Sequence, residues 1–220
     1  MNPEENQIIL VDKPAGISSF GVVAKIRGYL RAKYGHKIKV GHTGTLDPFA
    51  TGLLIILTGK MTKKSNEFLK KDKIYDATLR LGYTSTTGDP EGEITERESE
   101  EVLEADIAST LQSFTGTVSQ TPPRFSAIKI DGERAYKLAR KGADFEMPTR
   151  KVTIYSIEIL SYHYPELTIR CHVSSGTYIR TLAEDIGKSL GTGAYLTALR
   201  RLSIADYHVG DAHPLSDFTS

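Results

Sequence analysis

Cysteine is almost missing from this sequence. The single Cys171 rules out a disulfide within the chain and reads as a buried small apolar residue rather than a nucleophile. Zinc spacings are missing as well. None of His36, His42, His163, His172, His208 and His213 is set with cysteine at a ligand interval, and there is no His-Glu-x-x-His, so no metal is expected. Long apolar runs are also lacking. The longest, Leu53 to Leu57, is strand-sized, far short of the roughly 20 residues that span a bilayer. The polar, acidic start MNPEENQIIL does not read as a secretory signal, so the expected location is the cytoplasm, with no membrane involvement.

Excess charge is lacking too, since the formal net charge is only +1. Its distribution is uneven. Residues 1–80 hold 14 Lys and Arg against 7 Asp and Glu, whereas residues 89–106 hold nine acids and one base, Arg97. A phosphate backbone responds to the local field, so a nearly neutral protein can still present a basic face to nucleic acid.

The remaining composition is that of a globular protein, 39% hydrophobic and 25% charged over 220 residues. Gln7 to Val11 predicts a strand that ends at the turn Asp12-Lys13-Pro14-Ala15-Gly16. Ser18 or Ser19 can cap a following helix, whose apolar face is Phe20, Val23, Ala24, Ile26 and Leu30, with Lys25, Arg27, Arg31 and Lys33 elsewhere. Residues 41–52 read as a loop, 52–58 as a buried strand or helical turn, and the basic stretch 60–73 as a helix. Tyr75 to Gly82 alternates as a strand. Residues 84–93 read as a loop, and 100–114 as an amphipathic helix. Further on, 126–130 predicts a short strand with a turn at Asp131-Gly132, and 134–141 a basic helix. Residues 152–160 and 167–173 predict a hairpin, and 181–190 and 193–199 two helices. Strand–turn–strand units outnumber βαβ units. The expectation is therefore one α/β (α+β) domain over residues 1–220, with a mixed, mainly antiparallel sheet flanked by helices.

Two nucleotide signatures fail. Gly52 to Thr62 is spaced too widely for a phosphate-binding loop and has Met61 where Ser or Thr is needed; the Gly191-Thr-Gly segment lacks a third glycine. No cofactor is expected. The informative stretch is Gly41-His-Thr-Gly-Thr-Leu-Asp-Pro-Phe-Ala-Thr-Gly-Leu-Leu, which holds one carboxylate, Asp47, in a glycine-dense loop, with Pro48 biasing its backbone toward extended. By spacing alone such an Asp is more often a turn residue than a catalyst.

That stretch, with Gly59-Lys60-Met61-Thr62-Lys63 after it, resembles the catalytic motif of the TruB family of tRNA pseudouridine synthases. The resemblance continues in order through Asp12 to Ser19, Lys73-Ile74-Tyr75, Leu81 to Asp89, Pro122 to Lys129, Tyr136, Ala139 to Gly142, Gly176 to Asp185 and Leu199-Arg200-Arg201. Phe125 stands where the family usually has Tyr, and the chain ends at Ser220 without the small RNA-binding PUA domain that full-length bacterial members usually carry.

The resemblance implies a pseudouridine synthase fold with a thumb-like insertion at about residues 124–150. It implies isomerisation of the T-loop uridine at tRNA position 55, with the base flipped out of the stack. Asp47 is then the nucleophile or base, acting by attack on C1′ or by abstraction of a ribose proton. Arg180 keeps that carboxylate ionised, and Tyr75 stacks on the flipped base. His42, Tyr178 and Leu199 are implied at the substrate, as are Lys13, Lys63 and Lys129. Lys60, Lys63, Lys64, Lys70, Lys71 and Lys73, with Arg134, Lys137, Arg140 and Lys141 of the insertion, are expected to face RNA. The partner is the tRNA T-arm; no protein partner is implied, and a monomer is expected. Two other readings are the catalytic subunit of a guide-RNA pseudouridylation particle and a non-catalytic tRNA-binding or folding module.

Overall fold

The computed structural model describes residues 5–218. The reading of the first residues as a non-signal stretch rests largely on residues 1–4, outside the described residues. Along the chain run β1 (Ile8–Lys13), α1 (Ser19–Tyr34), β2 (Val40–His42), β3 (Thr51–Thr58), α2 (Ser65–Leu69), β4 (Lys73–Leu81), β5 (Tyr83–Ser85) and β6 (Ile94–Glu96). There follow α3 (Glu104–Ser113), β7 (Gly116–Gln120), β8 (Lys129–Ile130), β9 (Glu133–Arg134), α4 (Ala135–Arg140) and β10 (Arg150–His163). The chain continues with β11 (Glu166–Val173), α5 (Ile179–Ser189), β12 (Ala194–Ile204), β13 (Tyr207–His208) and β14 (His213–Pro214). It divides into two compact units, one of residues up to Asp76 together with those from Leu199 on, the other Ala77–Ala198.

In the first unit the strand order is β14-β1-β3-β12, with β2 against β3 and β13 against β12. The sheet is mixed: β1 is antiparallel to β3 but parallel to β14, and β3 is parallel to β12. The apolar run 53–57 is β3, and its lack of alternation follows from burial on both faces. On one side Leu54 and Ile56 meet Val22, Val23, Ile26 and Leu30 of α1; on the other Leu53, Ile55 and Leu57 meet Phe68 and Ile204. Ser18 caps α1 by accepting from the Gly21 amide, and Gly35 closes the helix in a left-handed conformation.

The second unit has the strand order β4-β11-β10-β7, with antiparallel β10–β11 and β7–β10 pairs, and α3 and α5 packed together. The expected hairpin at 152–173 is present and longer than its apolar core suggests. Residues 84–93 are bounded by the small β5–β6 hairpin, and β8–β9 turns at Asp131-Gly132, both at positive φ. Four expectations are corrected. Phe20 and Ala24 do not belong to the buried face of α1 but are exposed, and Val22 takes part in that face instead. Residues 193–199 are not helical; from Ala194 on they belong to β12, where Ala194, Tyr195, Leu196 and Leu199 are buried. The basic stretch 60–73 is a short 3-10 turn (Gly59–Lys64), then α2, then the start of β4, rather than one helix. The loop 41–52 is bounded by β2 and β3, so its first and last residues are strand. No helix among the described residues is long and apolar enough to cross a membrane.

Candidate active site

Asp47 sits half-buried in the loop between β2 and β3, and that loop is fastened at several points. The hydroxyl of Ser19, in the first turn of α1, donates to the Leu46 carbonyl at 2.9 Å and accepts from the Leu46 amide at 2.8 Å. The Gly16 amide donates to the Pro48 carbonyl at 2.9 Å, and the Ala50 amide to the Asp47 carbonyl at 3.1 Å. Lys13 is wholly buried, and its ammonium donates to the carbonyls of Pro14, Ile17 and Pro48 at 2.9, 2.7 and 3.2 Å. Lys13 thus ties the 14–17 turn to the acid's loop, a different placement from the substrate contact expected of it.

The other end of the loop is held by Arg201, which sequence reasoning placed in a matched block but gave no role. Its buried guanidinium donates to the Leu53 carbonyl at 2.7 Å and the Gly44 carbonyl at 3.1 Å. Its backbone lies so close to Gly52 that a Cβ there would be 2.3 Å from the Arg201 carbonyl oxygen, and Gly52 adopts φ 101°. His42 is half-buried and accepts from the Gly44 amide through Nδ1 at 3.3 Å. Burial, then the Arg201 charge, push its pKa below the ordinary imidazole value, so it is the neutral ring that the loop holds.

β4 alternates strictly and sets Lys73 and Tyr75 on its buried side. Lys73 was expected to face phosphate. Its ammonium instead donates to the Leu69 and Lys71 carbonyls after α2, and burial followed by the Arg201 charge lowers its pKa to about 8. Lys60, Lys63, Lys64, Lys70 and Lys71 are exposed. Leu199 is buried on β12.

In the second unit Tyr178 and Arg180 start α5. The Gln120 amide clasps the Tyr178 backbone reciprocally, at 2.7 and 3.0 Å, and the Arg150 guanidinium lies 4.9 Å from the Tyr178 ring centroid, a cation–π contact. Arg180 is buried. It donates to the Asp89 carboxylate at 3.1 Å, to the Thr87 carbonyl at 3.0 Å and to the Phe125 carbonyl at 2.8 Å. Asp89 is itself buried and accepts from the Thr87 hydroxyl at 2.6 Å and the Glu91 amide at 3.0 Å. Sequence reasoning placed this carboxylate at the end of a matched block but gave it no role. Beside it, burial raises the pKa of Glu184, opposed by the Arg180 charge and assisted by Asp185 and Asp89. Lys129 is exposed on β8, and Arg134, Lys137, Arg140 and Lys141 are exposed as well.

A family model described as "TruB family pseudouridylate synthase (N terminal domain)" matches residues 30–179, and one described as "tRNA pseudouridylate synthase B C-terminal domain" matches residues 180–220. The chain is 47% identical to a tRNA pseudouridine synthase B of Phocaeicola vulgatus, over 99% of this chain and 94% of that protein. It is 46% identical to a protein of the same name from Flavobacterium johnsoniae, over 99% and 98%. With that of Neisseria meningitidis it shares 44%, over 96% of this chain and 67% of the relative. Among solved structures it is similar to a chain of a Cbf5-Nop10-Gar1 complex, with TM-score 0.74 and 29% identity. The match covers 97% of this chain and 53% of that one, so the protein spans about half the length of that structural relative.

Proposed function

The chain belongs to the TruB family of pseudouridylate synthases, and on that premise we propose that it is a tRNA pseudouridine synthase acting on the T-loop uridine at position 55. The single observation that carries the reading is the loop around Asp47: between Asp12 and Glu67 it holds the only acid in the sequence, fixed by Lys13, Ser19 and Arg201. A preorganised carboxylate amid basic sequence suits a reaction on a polyanion that consumes no redox equivalent and moves no phosphoryl group.

The N1–C1′ bond breaks, the uracil turns, and a C5–C1′ bond forms; the proton then lost from C5 is balanced by the one gained at N1. Asp47 either attacks C1′ or takes a ribose proton. Tyr75 is the ring on which the extruded base stacks. Arg180, its guanidinium aligned by Asp89, is the cation that favours the ionised carboxylate. His42, Tyr178 and Leu199 complete the substrate contacts, with Lys63 and Lys129 on phosphates. Lys13 works from beneath as a positioning residue, since its ammonium is engaged by three carbonyls. The residues 124–150 are the thumb-like insertion on this single catalytic domain, and the protein works as a monomer. A guide-RNA particle is the weaker reading, because relatives sharing 44–47% identity carry the tRNA enzyme's name and the Cbf5 likeness stands at 29%.

The test is incubation with an unmodified tRNA transcript, followed by mapping of pseudouridine. Conversion is expected at the T-loop uridine alone. Asp47→Ala is expected to bind the transcript and convert none of it. Conversion by that variant at the wild-type rate, or modification confined to another site, would overturn the assignment.

A further inference from the structure

We propose that the outward face of α1 is a docking strip for RNA of the substrate outside the loop that carries the target uridine. The proposal rests on the tRNA reading above. α1 buries Val22, Val23, Ile26 and Leu30 against the first unit's core. At about 100° per residue, Phe20, Ala24, Arg27, Gly28 and Arg31 fall together on the opposite side, and of these Phe20, Arg27 and Arg31 are all exposed. The helix holds four cations, Lys25, Arg27, Arg31 and Lys33, and no acid. The imbalance extends beyond it: residues 13–66 contain ten Lys and Arg, and their one acid is Asp47. A surface meeting a protein partner of mixed charge has no need of so one-sided a set, whereas a phosphate backbone does.

Three further features favour nucleic acid. Phe20 is 65% exposed, and the Arg27 guanidinium lies over its ring, 5.9 Å from the centroid, so an aromatic ring and a cation are presented together. That pairing suits a stacked base or sugar next to a phosphate. Gly28 sits in mid-helix, where glycine is unfavourable relative to alanine, yet a Cβ there would meet no atom within 4 Å. Packing inside the protein therefore gives no reason for it, while a strand lying close against the helix would. Finally, the strip starts at the acid's own loop. Ser19, the residue before Phe20, is hydrogen-bonded to Leu46, the residue before Asp47. Arg31 lies twelve residues further along, roughly 18 Å at 1.5 Å per residue. RNA reaching that end has left the nucleotides next to the reacting uridine.

The experiment compares equilibrium binding of two RNAs, whole unmodified tRNA and a minimal hairpin with the target loop closed on two clamped base pairs. The doubly substituted Arg27→Gln, Arg31→Gln protein is expected to bind whole tRNA about tenfold more weakly, with a shallower salt dependence, and the hairpin unchanged. Gly28→Ala is the control for folding. It is expected to raise the thermal midpoint and still weaken whole-tRNA binding, which a purely structural role would not do. If both proteins bind whole tRNA as the parent does, or lose equally on both RNAs, the strip is not a docking surface for distal RNA. A parent that binds tRNA but converts no uridine would overturn the functional reading alone, because the binding comparison stands without turnover.

Discussion

Asp89 shows what a single residue can hide. It opens a run of nine acids in eighteen residues, and such runs are normally solvated surface. Burial of this one, paired with Arg180, depends on the turn at 85–89 folding its carboxylate inward, which no local pattern announces. Asp47 stood out only through the family resemblance of its glycine-dense loop, since by spacing alone it reads as a turn residue; the supports of that loop were not legible, since a buried lysine capping carbonyls looks in sequence like any surface lysine. Breaking a buried ion pair from one side leaves the other charge uncompensated. Asp89→Asn is expected to lower the unfolding free energy in urea by about 3 kcal/mol, and to lower turnover more than tRNA binding; unchanged turnover would show that Arg180 needs no alignment from Asp89. Lys73 gives a pH prediction. Its pKa in the folded protein, about 8, lies below the ordinary 10.5, so between those values the unfolded chain holds the extra proton and stability rises with pH. Lys73→Met removes that titration. The stability of the parent relative to the variant is therefore expected to increase from pH 8 to 10.5; a constant difference would mean that the amine is not disfavoured in its charged form.

Among the elements, those with strong periodicity were readable. The helix α1, the alternating β4 and the long hairpin β10–β11 follow from residue spacing, and their bounds moved by a few residues. β12 was not readable. Its Ala, Leu and Arg are good helix formers, and Ala194, Tyr195 and Leu196 are all buried, so the start of the strand lacks the alternation that marks a half-exposed one. What decides the matter is tertiary: β3 lies parallel beside it, with Arg201 opposite Gly52, and only glycine lets the two backbones come that close at φ 101°. Gly52→Ala is expected to cost about 2–4 kcal/mol through overpacking and backbone strain, read as a lower urea midpoint. Arg201 would be displaced with its strand, so the 41–50 loop should loosen and turnover fall further than stability alone explains. A variant as stable as the parent would mean that the strands can part at no cost.

For the molecule as a whole, the formal charge of +1 would suggest indifference to a polyanion. The arrangement along the chain suggests the opposite, because cations concentrate in residues 13–66 and acids in 89–106. Counterion release depends on how many phosphates are neutralised, not on the sum over the protein. Lys60, Lys63, Lys64, Lys70 and Lys71 are exposed, while Lys13, Lys73 and Arg201 are buried and contribute to structure instead. The affinity for unmodified tRNA is therefore expected to fall steeply with salt. Five or so phosphate contacts give a slope of about −4 in log affinity against log salt, and each exposed lysine changed to glutamine should reduce it by about 0.7–0.9. Asp47→Ala should keep the slope of the parent, because the role proposed for the acid is at the ribose and not on phosphates. A slope near zero, matching the net charge, would show that the uneven distribution is not used to bind RNA. A slope that survives removal of all five lysines would place the phosphate contacts on other cations.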